Sequence, residues 1–241
     1  MFRLEQSAYA AAGELLRRAV ASDPGYATAH ALMADWHALR VGQGWSPAPD
    51  HDAVASDEAA RAAIRQDAMN ARALSLHAHT RSFLHRDYEG AIRIFEQAME
   101  AAPNDASTWM WSAGTYAYIG NGTEAMRRAE RAYRLSPRDR FAFRYSTALC
   151  LSYYTNGAYE DAIRWGEQAI RESPAYTAGL RFTIAAHAAV GQLNRAQELA
   201  GNLMRIQPDF RVRTVRERHP YRDASRRNEI ADRLLMAGLH E

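Results

Sequence analysis

Several kinds of residue and segment are scarce in this sequence, and each scarcity excludes a class of protein. The 241 residues include one cysteine, Cys150, so the chain cannot form an intramolecular disulfide and fits a reducing compartment. The sequence shows no apolar run of about 18 residues and no charged-then-apolar leader, which are the marks of a membrane span and a secretion signal. We therefore expect a cytoplasmic protein without a membrane partner. Strand-like runs of Val, Ile and Thr are also missing, which favours an all-α fold.

Lysine is absent altogether, and all 30 basic residues are arginine. Together with abundant alanine, this composition indicates a genome rich in G and C, which concerns origin rather than function. The 28 acidic residues nearly balance the arginines and leave a formal net charge of +2. The whole chain is therefore not a polycation suited to nucleic acid or an anionic membrane.

What the sequence does contain is a repeat marked by proline. Pro103, Pro137, Pro174 and Pro208 follow one another at intervals of 34, 37 and 34 residues. A period in this range is typical of stacked helical hairpins, in which each unit packs only on its neighbours.

Small residues stand at fixed distances before these prolines. Alanine occurs five residues before three of the four prolines, with Leu203 in the last copy, and twelve residues before all four. Small side chains at this spacing let two helices approach closely while a larger side chain opposite fills the space. The alanines are Ala91, Ala98, Ala125, Ala132, Ala162, Ala169 and Ala196.

At these positions the chain resembles the tetratricopeptide repeat, which has Trp, Leu-Gly and Tyr on its first helix and Ala, Phe, Ala and Pro on its second. Trp109, Tyr116, Ala125, Ala132 and Pro137 match that pattern in one copy. The resemblance implies an all-α, right-handed superhelical solenoid of tetratricopeptide-like helical hairpins with a C-terminal capping helix. It also implies a non-catalytic function in protein–protein binding, with no cofactor.

The proline and alanine register divides the chain into units of a single repeat domain, 1–241. The predicted units are a half-repeat at 5–24, repeats at about 27–68, 70–103, 105–137, 139–174 and 176–208, and a C-terminal cap at 209–241.

The end of the chain resembles a narrower group. The run Pro220-Tyr221-Arg222-Asp223, a predicted helix from about 223 to 237, and the final Ala237-Gly238-Leu239-His240-Glu241 are similar to the C-terminus of the repeat region of bacterial winged-helix transcriptional regulators and class III adenylate or guanylate cyclases. Arg233 stands where that group has a glycine, and His240 where it has a proline. The resemblance implies the sensing or scaffolding part of a bacterial regulator, whose output domain would precede residue 1.

The N-terminal half-repeat bears on the same question. Residues 5–21 have the pattern of the second helix of a unit whose first helix is missing, which would leave an apolar face uncovered. We expect a longer protein on this ground. The alternatives are a free-standing scaffold or adaptor with no output domain, in which Phe2 and Leu4 form a short cap, or a homodimer in which a second copy covers the face.

The repeat register also predicts which side chains of the first helices line the concave face and bind a protein or peptide. The groove they would form is apolar and aromatic with two arginines, which can bind a carboxylate or a peptide carbonyl or remain solvated. The residues are Asp35, His77, Phe83, Met110, Trp111, Tyr118, Arg144, Tyr154 and Arg181.

Two aromatic residues of this groove have more than one interpretation. Trp111 and Tyr118 lie seven residues apart on one helix face, which suits a partner helix laid in the groove. They would equally suit packing against the next repeat, or closure of the groove by the tail of the chain itself.

A long loop is predicted from Gly42 to Asp52, where the unit carries roughly ten residues more than its siblings. Insertions in repeat proteins often carry binding, which makes Trp45 a candidate contact. The alternative is that Trp45 folds back as a plug over its own hairpin.

Other candidate sites are weaker. His77, His79 and His85 form the densest group of histidines, but residues two apart on a helix point to different faces, so we predict no metal site. Eight arginines between Arg205 and Arg227 could meet phosphates, but no glycine-rich phosphate loop accompanies them. A cap with salt bridges is the preferred interpretation, without direct binding of nucleic acid. No nucleophile with a base can be assembled, so no catalytic residue is predicted.

Overall fold

A computed structural model describes residues 4–241, so the predicted cap residue Phe2 lies outside the described part of the chain. Thirteen α-helices and no strand occur in residues 4–241. In chain order they are α1 (Gln6–Ser22), α2 (Ala27–Gln43), α3 (Pro49–Gln66), α4 (Ala71–Phe83), α5 (Tyr88–Ala101), α6 (Ala106–Tyr118), α7 (Gly122–Leu135), α8 (Ala142–Thr155), α9 (Tyr159–Glu172), α10 (Thr177–Ala189), α11 (Leu193–Ile206), α12 (Val212–Arg218) and α13 (Ala224–Met236).

Ten of these helices form five hairpins, α2/α3, α4/α5, α6/α7, α8/α9 and α10/α11, which stack in chain order. The first helices α2, α4, α6, α8 and α10 contact one another in sequence and form one layer, and the second helices lie on its outer side. Helix α1 packs on α2, and α13 packs on α10. The predicted solenoid of helical hairpins with a helical cap is therefore confirmed.

The alanine positions explain why the hairpins stack closely. Ala98, Ala132 and Ala169 are completely or almost completely buried. Phe95, one turn before Ala98, is also buried and fills the space that the small residues leave. Close approach of this kind maximises dispersion contacts between neighbouring helices.

Side-chain caps fix where several of the helices begin. Asn70, Asp87, Asp105 and Asn121 each accept a hydrogen bond from the main-chain N–H three residues on, at 2.7 to 3.1 Å. Such caps satisfy one of the main-chain donors that a helix start leaves without a partner.

Two predicted segments differ from the structure. Most of the predicted loop from Gly42 to Asp52 is helical, because α2 continues to Gln43 and α3 begins at Pro49, and only residues 44–48 connect them. The extra residues lengthen both helices of this hairpin, and Pro49 is favourable there because the first turn of a helix needs no N–H donor from it. At the C-terminus, α13 (Ala224–Met236) lies within a residue of the predicted final helix, but α12 was not predicted.

None of the helices in residues 4–241 has the length and the apolar composition needed to cross a lipid bilayer.

Candidate functional site

The layer of first helices curves until its first and last members meet. Gln43, at the end of α2, is fully buried and donates from Nε2 to the carbonyl oxygen of Ala175 at 2.9 Å. Its Oε1 accepts from the main-chain N–H of Thr177, at the start of α10, at 3.0 Å. Arg181 adds a hydrogen bond from Nη2 to the carbonyl oxygen of Gly42 at 2.9 Å. The concave face is therefore closed into a ring rather than left as an open groove.

An ion pair crosses the interior of this ring. Arg144 on α8 places Nη1 at 3.0 and 3.1 Å from the two carboxylate oxygens of Asp35 on α2. The two side chains are 11% and 17% exposed, so water screens the attraction weakly. Burial lowers the pKa of Arg144, but Asp35, Tyr176 and Tyr9 together outweigh that effect and hold the pKa above its ordinary value. Arg144 therefore stays charged.

The C-terminal segment of the chain enters the interior of the ring. We call residues 207–222 the C-terminal strap; it consists of a turn, the short helix α12 and an extended stretch, 219–222. The extended stretch makes main-chain contacts with the ring. The N–H of Arg222 donates to the carbonyl oxygen of Tyr118 at 2.8 Å, and the hydroxyl of Tyr88 donates to the carbonyl oxygen of Pro220 at 2.7 Å.

Aromatic side chains hold the same stretch. The His219 ring meets the Tyr118 and Phe182 rings edge to face, with centroids 6.4 and 5.7 Å apart. Tyr221 is fully buried and shares a 2.8 Å hydrogen bond between its hydroxyl and that of Thr155. Edge-to-face packing of this kind stabilises the folded chain in addition to the contribution from burying apolar area.

Ion pairs and charge-assisted hydrogen bonds fasten the strap at its outer edge. Arg218 lies 3.3 Å from Asp50, and Arg222 pairs with Glu89. Arg86 donates to the carbonyl oxygen of Glu217 at 2.7 Å. These groups are exposed, so each contributes little to stability compared with the buried contacts.

A cavity of about 270 Å³ remains between the ring and the strap. All five first helices and the strap contribute to its wall. A second cavity of about 450 Å³ lies toward the N-terminal ends of α4, α6 and α8 and shares Asp35, Met110, Trp111 and Arg144 with the first.

A row of stacked rings forms one side of the central cavity. The His79 imidazole lies between Phe83 and Trp111, with ring centroids 5.1 and 4.0 Å away. The Arg144 guanidinium sits over Trp111 at 5.5 Å from the ring centre. Such an arrangement suits an apolar or aromatic group that packs on the rings beside the positive charge of Arg144.

The enclosure of the cavity shifts the titration of the groups that line it. Burial lowers the pKa of His79 and of His219 to about 3, so both imidazoles are neutral near pH 7. Burial also lowers the pKa of Arg181 to about 10. The hydroxyl of Tyr118 has a raised pKa for the same reason. Each shift disfavours the charged form, as expected when a group leaves water.

The structure brings most of the predicted groove residues together. Seven of the nine line the central cavity, namely Asp35, Phe83, Met110, Trp111, Tyr118, Arg144 and Arg181. His77 and Tyr154 do not. His77 turns outward, with Nε2 facing the Asp57 carboxylate at 3.1 Å. Tyr154 is covered by α13, where Arg233 donates to its hydroxyl at 2.6 Å.

Trp111 and Tyr118, the two aromatic residues of the predicted groove, have different surroundings in the structure. Tyr118 faces His219 and Tyr221 of the strap, so the chain's own tail covers it. Trp111 stacks on His79 and lines both cavities. Trp45 lies against Tyr9 of α1, at 5.5 Å between ring centres, and folds back onto the N-terminal helices.

Sequence reasoning did not find several residues of this site. Gln43, Tyr176 and Gln207 approach the interior only because the ring closes, and no repeat register marks them. Phe210 and His219 belong to the strap, and the aromatic residues among its arginines were the available signal.

The histidine group, the C-terminal arginines and Cys150 all have structural surroundings. His79 is enclosed in the aromatic row, away from His77. The C-terminal arginines form ion pairs, for example Arg213 with Glu217 at 2.8 Å and Arg216 with Asp232 at 2.8 Å. Cys150 is fully buried, and burial raises the pKa of its thiol to about 12, which makes it a packing residue.

The fold is shared with known proteins, although sequence comparison gives no relative. A scan with family models finds no match, and a search of curated proteins finds no significantly similar sequence. Among solved structures, PilF of Pseudomonas aeruginosa is 19% identical, with a TM-score of 0.53 over 86% of this chain and 88% of that one. PilW, a type IV pilus biogenesis factor, is 13% identical, with a TM-score of 0.59 over 78% and 83%. MamA from Desulfovibrio magneticus RS-1 is 14% identical, with a TM-score of 0.50 over 73% and 96%. At such identities these likenesses show the fold alone, a solenoid of tetratricopeptide-like hairpins.

Proposed function

We propose that this chain is a non-catalytic protein-interaction module that binds a short extended peptide segment of a partner on the inner side of its ring. The observation that carries the proposal is the contact between the ring and the extended stretch 219–222. A surface that already holds a peptide segment of its own has the chemistry to hold one from a partner.

The contacts divide into general and specific ones. The hydrogen bonds to the main chain of Pro220 and Arg222 do not depend on side chains and would serve many sequences. The pocket that Tyr118 and Phe182 form around His219 selects a ring at one position. A partner peptide with an aromatic or imidazole ring beside proline would fit this surface.

A partner peptide would compete with the strap. A tethered segment has an effective concentration of the order of millimolar, so a free peptide of similar affinity displaces it only in large excess. The strap is thus expected to weaken partner binding until it is displaced.

The interior supports a binding function over catalysis. Arg144 and Asp35, which face each other across it, are engaged in a mutual ion pair, and the rings beside them are apolar. An acid–base site would need ionisable groups that converge on an open position with matched pKa values.

A peptide that carries residues 207–222 tests the proposal directly. The host is the full chain with Phe210→Ala and Tyr221→Ala, in which the strap has lost two buried anchors. We expect the labelled peptide to bind this host, by fluorescence anisotropy, and to bind the unsubstituted chain at least about tenfold more weakly because of competition.

The matched control adds Tyr118→Ala to the host. Loss of the ring that contacts His219 should weaken peptide binding by about tenfold or more, since an aromatic anchor contributes about 2 kcal/mol. Circular dichroism should show that both hosts keep their helices. Peptide binding that is absent, or that is indifferent to Tyr118, would contradict the proposal.

We further propose that the module is the C-terminal sensing or scaffolding part of a cytoplasmic bacterial regulator. The support for this is the likeness of the 220–223 and 237–241 segments to such regulators. The native mass in the source cells, by immunoblot, separates this from a free-standing adaptor. A band well above the 27.0 kDa of this chain is expected for a regulator, and a band at that mass would favour the adaptor.

A further inference from the structure

Three residues of the central cavity's wall carry polar atoms that the protein leaves without partners. Arg144 Nε, Thr147 Oγ1 and Gln207 Oε1 are buried and make no hydrogen bond within the described residues. All three residues line this cavity. A buried polar atom without a partner costs free energy, so the wall of this cavity is less well satisfied than the rest of the interior.

Arg181 is a positively charged residue on the cavity wall that lacks a negatively charged partner. Its guanidinium lines the cavity and has one hydrogen bond, from Nη2 to the carbonyl oxygen of Gly42. No carboxylate in residues 4–241 forms an ion pair with it, whereas the neighbouring Arg144 is paired with Asp35. Asp209, the other carboxylate on the cavity wall, lies exposed at the margin beside the exposed Arg211. The interior therefore has a positive charge that faces the central cavity without a carboxylate partner.

The rest of the wall is apolar. Phe83, Trp111, Phe182, Leu151 and Phe210 surround the space, and their surfaces suit a hydrocarbon or an aromatic ring. A volume of about 270 Å³ is near the lower end of sites for small molecules, which span ~300–1,000 Å³. The cavity therefore combines a cationic group, which can bind an anion, with an apolar wall.

We propose that the central cavity binds a small monocarboxylic acid with an apolar body, its carboxylate on the Arg181 guanidinium and its body against Trp111 and Phe182. Arginine suits this task because its planar fork donates two parallel hydrogen bonds to a carboxylate. Since Phe210 and His219 form part of the wall, a bound acid also packs on the strap.

This inference does not depend on the peptide-binding function. The site uses the space between ring and strap with the strap in place, whereas a partner peptide would use the surface that the strap covers. Binding of an acid can therefore succeed or fail whatever the outcome of the peptide experiment.

The test uses the full chain and two probe acids, 3-phenylpropionate and octanoate, with their uncharged amides as matched comparisons. Binding is followed by the fluorescence of the chain's tryptophans and by isothermal titration calorimetry. We expect at least one acid to bind with a Kd of about 1 mM or tighter. Its amide should bind about 10- to 100-fold more weakly, because a hydrogen bond to a charged group is lost.

Two variants locate the site. Arg181→Gln keeps a donor for the Gly42 carbonyl and removes the charge, and should weaken acid binding about 10- to 100-fold. Gly114→Leu fills the cavity: a Cβ at Gly114 would lie 3.7 Å from the Tyr118 hydroxyl oxygen, an ordinary contact, so the variant should fold and lose binding of acid and amide alike. Arg164→Gln, an exposed substitution on α9, is the control and should bind as the unsubstituted chain does.

The proposal is overturned if neither acid binds, if acid and amide bind equally well, or if folded Gly114→Leu binds the acid unchanged. Should Arg181→Gln lose its helical circular dichroism, the comparison of acid with amide and the Gly114→Leu variant still decide the question.

Discussion

The enclosed histidines predict a loss of stability on mild acidification. The pKa of His79 falls from 6.5 to about 3 when the chain folds, because burial disfavours the imidazolium. The unfolded chain therefore binds the proton first as the pH falls. The stabilisation is fully present above pH ~6.5 and is lost progressively as the pH falls from there toward ~3.

The magnitude follows from the two pKa values. Between about pH 7.5 and about pH 5.5, the unfolded state gains about 1.4 kcal/mol from protonating one such histidine, while the folded state gains almost nothing. The carboxylate of Glu124 does not titrate in this window, since its pKa is lowered to about 2 by its bonds to Arg127 and Arg128.

His79→Phe isolates the effect, because phenylalanine can stack between Phe83 and Trp111 and does not titrate. Urea unfolding, followed by circular dichroism at both pH values and constant ionic strength, should show that the unsubstituted chain loses about 1.4 kcal/mol more than the variant. His85→Phe, at an exposed turn, is the control for the exchange of histidine for phenylalanine itself. Equal pH dependence for the His79→Phe variant and the unsubstituted chain would refute the reasoning.

The remaining predictions concern packing and charge. Asp35→Asn leaves Arg144 in the interior without its carboxylate and should lower the free energy of unfolding by about 3–5 kcal/mol in urea titrations. Gly122→Ala should destabilise by about 1–3 kcal/mol, because its Cβ would lie 2.7 Å from a main-chain carbon of the next hairpin. Gly201→Ala, where no atom lies within 4 Å of the added Cβ, should raise stability slightly, and thermal unfolding measures both glycine variants. Cys150 should react with a thiol reagent such as dithionitrobenzoate only after the chain is unfolded, and prompt reaction of the folded chain would contradict its burial.

The parts of the site that sequence could predict are those that depend on local register. Asp35, Trp111, Tyr118 and Arg144 fall one turn from packing positions, and the helical period alone directs them inward. The prediction that Tyr154 lines the groove was wrong. The helical period shows which side of a helix Tyr154 occupies, but it cannot show that α13 covers that side.

The loop prediction failed for a related reason. Extra residues in a repeat can enlarge a loop or lengthen its helices, and the choice depends on what the added turns can contact. Here Gln43, in the added length of α2, gains buried hydrogen bonds to Thr177 and the carbonyl of Ala175. Those partners lie more than a hundred residues away and cannot be read from the local sequence.

By itself, the sequence determined that this protein is an array of helical hairpins, because the spacing of proline and alanine encodes contacts between neighbouring helices. Only the tertiary structure decided that the array closes into a ring, that the strap enters it, and that Arg181 faces the central cavity without a carboxylate partner. Curvature is the sum of small rotations between successive hairpins, and small differences accumulate until distant elements meet or miss. Contacts over such distances depend on the whole array, so no local pattern can specify them.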